Sequence, residues 1–165
     1  MHMLEAERTE IEKPEGHYCF ACGTANPIGL KLEFYRLADS ICSDITLKKV
    51  HEGWENLAHG GIISTLLDEV MSWAVLYFRR VLFVTRKMKT KYVRPVLIGT
   101  PLTVRGSLID TSEPPKVKTR GEILDDKGRL LVRSIGEFIE LPEERFSSVS
   151  EGMKKEILAL LENLK

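Results

Sequence analysis

His59, Gly60 and Gly61 stand shortly before Asp68 in the run Asn56-Leu57-Ala58-His59-Gly60-Gly61-Ile62-Ile63-Ser64-Thr65-Leu66-Leu67-Asp68-Glu69, and those residue types at that spacing suit attack on a carbonyl. Two glycines that open a helix leave backbone N–H groups unpaired at its positive end, where an oxygen gaining negative charge is stabilised. Two turns further on, a carboxylate on an otherwise apolar helix is expected to be more basic than a solvated one. That fits Asp68 to activate water or to attack an ester itself. Glu69 is the competing base, but it lies about 100° round the helix and off the Gly60 stripe.

The same spacing carries a demand on assembly. Residues 60 and 68 lie roughly 12 Å apart along a helix axis at ~1.5 Å per residue, so one chain cannot bring both to one carbonyl. If both act, an antiparallel partner helix must place its own aspartate near this chain's Gly60, giving two sites per symmetric dimer. A homodimer is therefore expected, and a homotetramer if dimers pair again.

The element that must position these groups runs from His59 to about Arg79. Ile62, Ile63, Leu66, Leu67, Val70, Met71, Trp73, Ala74, Val75, Tyr77 and Phe78 leave it almost no polar face, so it must be buried. Gly60, Ser64, Asp68 and Ser72 recur every fourth residue and form one stripe. Before it, Leu32–Leu37 and Ile41–Leu47 read as strands joined at Ala38-Asp39-Ser40. After it, Arg86–Arg94, Pro101–Asp110, Lys116–Leu124 and Arg129–Leu141 alternate or favour strand, divided by glycine and proline turns. Along the first of these, Met88, Thr90 and Tyr92 share one face and Lys87, Lys89 and Lys91 the other. The order predicts an α+β fold, a curved antiparallel sheet wrapped around one long helix. Residues 1–16 read as a polar lead-in outside the core, 17–141 as the domain, and 142–165 as an added amphipathic helix capped by Ser150.

Composition narrows the partners. Lysine plus arginine equals aspartate plus glutamate at 24 each in 165 residues, which gives no reason to expect a nucleic acid or a membrane surface. The acidic N-terminal stretch lacks an apolar run, so it reads as neither signal peptide nor membrane span, and a cytoplasmic location is expected. Cys19, Cys22 and Cys42 are too few for a disulfide scaffold and are expected as free thiols. Cys19-x-x-Cys22 supplies two of the four ligands a structural zinc needs, with His17 and Cys42 the nearest further candidates; no metal is expected.

The His-Gly-Gly with its following aspartate, the later Tyr92-Val93-Arg94-Pro95-Val96 and Gly99-Thr100-Pro101-Leu102, and the upstream Cys19-Phe20-Ala21-Cys22-Gly23 with Asn26-Pro27-Ile28-Gly29-Leu30 together resemble the hotdog-fold acyl-CoA thioesterases of the PaaI-like and hydroxybenzoyl-CoA thioesterase group. The resemblance spans residues 17–141. It implies a small-molecule acyl-CoA substrate cleaved by water, with CoA entering as part of the substrate and no separate cofactor. It implies that Asp68 is nucleophile or general base, that the Gly60 N–H polarises the thioester carbonyl, that His59 orients the loop or the carbonyl, and that Gly61 permits close approach. Relatives carry a polar side chain before the His-Gly-Gly to hold water; here Gly53 occupies the usual spacing, and Asn56 or Glu55 stands in. The hydroxyl that relatives carry after the helix would be Thr85.

Phosphates of CoA call for cations, and Arg94, Lys87, Lys89 and Lys91, with Lys116, Lys118 and Arg120 as a second group, are the candidates. The acyl group is expected beside the helix near Leu67, Met71 and Trp54, although Trp54, Trp73 and the methionines also read as packing. Plainer readings stand beside these. His59 is a natural helix cap, Asp68 a carboxylate satisfied by Ser64 or Ser72, and a lysine stripe a solvated sheet face. Rival functions are an acyl-thioester hydratase or dehydratase using His59, and a non-catalytic acyl-CoA-binding regulatory module.

Overall fold

The computed structural model describes residues 7–109 and 113–164. Its elements, in chain order, are β1 (Thr9–Ile11), β2 (Phe34–Leu37), β3 (Ser40–Thr46), α1 (Gly60–Arg79), β4 (Phe83–Tyr92), β5 (Pro101–Leu108), β6 (Lys116–Asp125), β7 (Leu130–Glu140) and α2 (Glu151–Asn163). The seven strands form one antiparallel sheet in the spatial order β1-β2-β3-β5-β6-β7-β4, and α1 packs on its inner face. The expected hotdog architecture, with its added C-terminal helix, is the fold observed.

Burial rather than propensity holds α1 in place. Leu66, Leu67, Val70, Met71, Ala74 and Val75 are completely excluded from solvent, and full burial of each large apolar side chain contributes about 1.5–3 kcal/mol. The helix can lie this close because the strands beneath it carry glycine. Gly106 of β5 pairs with Gly121 of β6. A Cβ on Gly106 would stand 2.5 Å from the Val70 carbonyl oxygen, and one on Gly121 would stand 3.1 Å from Leu67 and Met71 side-chain atoms. No side chain fits at Gly106, because the atom it would strike is backbone.

Two expectations need correction. The lead-in is not outside the core: Thr9–Ile11 adds a strand to β2, and Ile11 is buried. Arg8 lies over the Tyr35 ring, 3.6 Å from its centroid, and reaches Asp44 at 3.1 Å, so its charge stays on the outer side while Ile11 turns in. Trp54 is not packing, since it is 83% exposed, whereas Trp73 stacks on Phe34 at 4.5 Å. The added helix starts where expected, with Ser150 Oγ accepting from the Met153 N–H at 3.3 Å. It is anchored by buried Leu164, whose carbonyl accepts from Arg80.

Candidate active site

The helix begins at Gly60, and His59 is its N-cap. His59 has extended backbone and its Nδ1 accepts from the Gly61 N–H at 2.9 Å. The ring nitrogen that accepts cannot carry the proton, so the neutral ring is protonated on Nε2. The cap also divides the two glycines. The Gly61 N–H is occupied by His59, while the Gly60 N–H has no partner among the described residues. Gly60 lines a cleft of about 310 Å³ whose walls are Leu57, Ala58, Ile63 and the segment Tyr92 to Val96. The positive end of a twenty-residue helix thus borders a cleft, where a developing oxyanion is favoured.

Asp68 meets neither Ser64 nor Ser72. Its Oδ1 accepts from Thr85 Oγ1 of β4 at 2.9 Å. Burial raises its pKa above the ordinary carboxylate value, the Thr85 hydrogen bond pulls it partly back, and charge on Cys19 raises it further. Thr85 reaches it because of an irregularity in β4. The β4–β7 register slips between Thr85 and Lys87, so Thr85 stands opposite buried Phe138 and Met88 opposite Gly136, with Arg86 as the extra residue. Simple alternation from Met88, Thr90 and Tyr92 would have turned Arg86 inward; the bulge turns Thr85 inward instead.

At the other end of β4, the Tyr92 hydroxyl lies 3.3 Å from the Gly60 carbonyl oxygen and 3.4 Å from Ser64 Oγ. The whole stripe Gly60, Ser64, Asp68 therefore runs under β4, which pairs with β7 on one side and has no neighbour among the described residues on the other. Tyr92 is the site-lining residue that sequence reasoning passed over. Its place on the inner face was the available signal.

The other expected residues fall into three places. Asn56 sits in a left-handed turn (φ 62°) of the loop before α1, its backbone N–H bonded to Glu52 at 2.9 Å and its carbonyl to the Ile98 N–H at 2.9 Å. Its neighbour Glu55 is exposed. Arg94 lines the Gly60 cleft, with Nη1 donating to the Leu130 carbonyl at 2.6 Å. Lys87, Lys89 and Lys91 share the outer face of the sheet with Lys116, Lys118 and Arg120: Lys118 and Lys87 flank Glu137, and Arg120 and Lys89 flank Ile135. The two basic groups are thus one surface, turned away from α1.

The apolar space expected near Leu67 and Met71 is filled, since both are fully buried over the glycine floor, and Trp54 is in solvent. An apolar cavity of about 550 Å³ lies on another side of the helix, between Trp73, Phe83 and the α2 residues Ile157 and Leu160.

Glu69, next to Asp68, points into different surroundings. It accepts from Trp73 Nε1 at 3.1 Å and lies 3.7 Å from Cys19 Sγ. Burial first, and then charge on Cys19, push its pKa up to about 7. A hydrogen bond between the two cysteines drives Cys19 down and Cys22 up. All three cysteines are free, and Cys42 lies apart in β3.

Residues 55–131 match the thioesterase superfamily. None of the curated proteins matches the sequence. Among solved structures, a thioesterase superfamily protein superposes with a TM-score of 0.70 at 27% identity, covering 74% of this chain and 60% of its own length. The chain therefore spans about three fifths of that relative. The Escherichia coli PaaI protein of the phenylacetic acid degradation operon gives a TM-score of 0.62 at 15% identity, covering 68% of this chain and 81% of its own. A hypothetical thioesterase from Streptococcus pneumoniae TIGR4, solved with coenzyme A, gives 0.61 at 18% identity, covering 67% and 85%. At those identities the last two speak for the fold alone. The stretch 55–131 is thus similar to the thioesterase superfamily, and the fold around it is the one shared by the PaaI protein and the S. pneumoniae structure.

Proposed function

We propose that the protein hydrolyses an acyl-CoA thioester to a carboxylate and free CoA at a site built by two copies of the chain. The observation that carries the reading is the Asp68 carboxylate, desolvated and held by Thr85, on a helix stripe that ends at the unpartnered Gly60 N–H beneath an open sheet edge. In this reading Asp68 takes a proton from the water that attacks the carbonyl, or attacks it itself to form a mixed anhydride that water then hydrolyses, while the partner subunit's Gly60 N–H receives the oxyanion. The tetrahedral intermediate then collapses. The carbon–sulfur bond breaks, and the CoA sulfur leaves as thiolate and is protonated to the thiol. Thioester carbonyls are electrophilic enough that a carboxylate and a helix-terminal donor suffice without a serine triad.

Support for the paired site comes from the exposed edge. β4 is ten residues long with one side unpaired among the described residues, and Val84 (48% exposed) and Tyr92 (52%) lie along it. Such an edge is a template for a second chain. The coenzyme A in the S. pneumoniae neighbour supports the substrate class. Arg94, at the cleft, is the first candidate for the phosphates; Lys89, Lys91, Lys116 and Lys118 on the outer face would serve only if a further copy turns that face toward a site.

Two inactive variants test the shared site. Asp68→Asn removes the base. Gly60→Pro removes the N–H at the first helical position, where proline is tolerated, and His59 already has the extended backbone that must precede a proline. Each alone should release almost no thiol from acyl-CoA. Unfolded and refolded together, the pair should recover about a quarter of wild-type activity, because half the dimers mix and each mixed dimer holds one intact site of two. Recovery of nothing from well-folded mixed dimers would show that both groups act within one chain or not at all.

A further inference from the structure

Cys19, Cys22 and Glu69 bring two sulfurs and a carboxylate oxygen within 4.8 Å of one another, and His17 Nε2 lies 3.5 Å from Cys22 Sγ. We propose that these four side chains hold a structural zinc ion that fastens the N-terminal loop to the central helix. The ion has no part in the thioester chemistry proposed for Asp68.

Three of the four ligand atoms lie within 4.8 Å of one another, two ligand pairs already stand at an ion's spacing, and His17, outside that group of three, meets it at Cys22. With Zn–S of about 2.3 Å, and Zn–N and Zn–O of about 2.0–2.2 Å, tetrahedral ligands stand roughly 3.5–3.8 Å from one another. Cys22 Sγ to His17 Nε2 is 3.5 Å, and Cys19 Sγ to the two Glu69 oxygens is 3.7 and 3.8 Å. Donor chemistry fits too, because two thiolates, an imidazole and a carboxylate are the soft-to-borderline set that zinc takes.

Charge balance points the same way. The Glu69 carboxylate is drawn in among thiols and the Trp73 ring, and no lysine, arginine or histidine among the described residues makes an ion pair with it. Buried Lys13 directs its ammonium to the Cys22 and Leu32 carbonyls and to Glu33 instead. His17 Nδ1 is itself buried without a hydrogen-bond partner among the described residues. A group of acidic donors without a cation is costly to bury, and a divalent ion would remove that cost.

The loop is built to hold the pair. The Gly23 N–H donates to the Cys19 carbonyl at 2.8 Å, and a Cβ at residue 23 would stand 2.5 Å from Cys19 backbone atoms. Only glycine closes the turn that presents both sulfurs to one side. His17, Cys19, Cys22 and Glu69 all line the apolar cavity beside α2, which gives an ion a way in.

The test uses the full chain expressed with zinc and purified without chelator. Elemental analysis should find a single tightly held zinc per chain. Cobalt(II) put in its place should show the strong visible bands of a tetrahedral site together with a thiolate-to-cobalt band in the near ultraviolet. Cys19→Ser and Glu69→Gln should lose stoichiometric metal, and Cys42→Ser should keep it. Protein isolated with a Cys19–Cys22 disulfide would overturn the proposal, as would cobalt bound without a thiolate band or zinc retained equally by Cys19→Ser. If the cysteine variants fail to fold, the cobalt spectrum of the wild-type chain decides alone.

Discussion

Asp68 and Glu69 are adjacent carboxylates on one helix, and the molecule treats them differently. Asp68 lies under the open edge strand β4, where it is only partly buried and keeps a single hydroxyl partner, Thr85. Glu69, about 100° round the helix, is enclosed by Trp73, Cys19 and Cys22 beneath α2. Burial lifts both pKa values, so raised basicity alone does not mark a catalytic base. What separates them is access: Asp68 shares its helix stripe with the Gly60 N–H at a sheet edge, whereas Glu69 faces soft donors that have no counter-charge.

The largest effect should separate the two directly. Asp68→Asn removes the base while keeping the shape and the Thr85 contact, and should lower thiol release by about 10²–10⁴-fold. Glu69→Gln, measured on the same acyl-CoA panel, should cost less than about tenfold, because it acts on the helix only through the loop it holds. Equal losses in the two variants would make Glu69 the base, or both carboxylates merely structural.

The Thr85 hydroxyl allows a smaller and sharper test. It donates to the ionised carboxylate, so it lowers the pKa of Asp68, against the upward push of burial. A base must be unprotonated to act, so kcat/KM should fall as pH drops through the pKa of Asp68. In Thr85→Val that acid limb should move to higher pH, while activity well above it changes less. A limb that stays put, or moves down, would remove Asp68 from the titrating step.

How much of this was legible depended on whether the cause was local. The start of α1, the stripe of every fourth residue and the Ser150 cap follow from spacing along one element, and they stand where the periodicity puts them. The inward turn of Thr85 depends on a one-residue bulge set by pairing with β7, which alternation within β4 cannot reveal. The glycine floor of Gly106 and Gly121 reads in sequence only as two weakened strand positions; it becomes a demand when α1 lies upon it. The third member of the cysteine cluster is Glu69, fifty residues from Cys19, and not Cys42. Spacing motifs along the chain find ligands near in sequence, whereas tertiary packing chose this one.

His59 separates positioning from chemistry at the smallest scale. Its Nδ1 already caps Gly61, so the ring is committed to fixing the loop that presents Gly60. His59→Ala should cost about 1 kcal/mol of stability, as the loss of an N-cap does, and weaken turnover by loosening the donor. Asparagine is among the best N-cap residues and restores an acceptor without an imidazole. His59→Asn should therefore recover both melting temperature and kcat/KM if the histidine only holds the glycine in place. Restored stability with turnover still lost would mean that Nε2–H touches the reacting carbonyl, and would move His59 from the scaffold to the group of residues that meet the substrate.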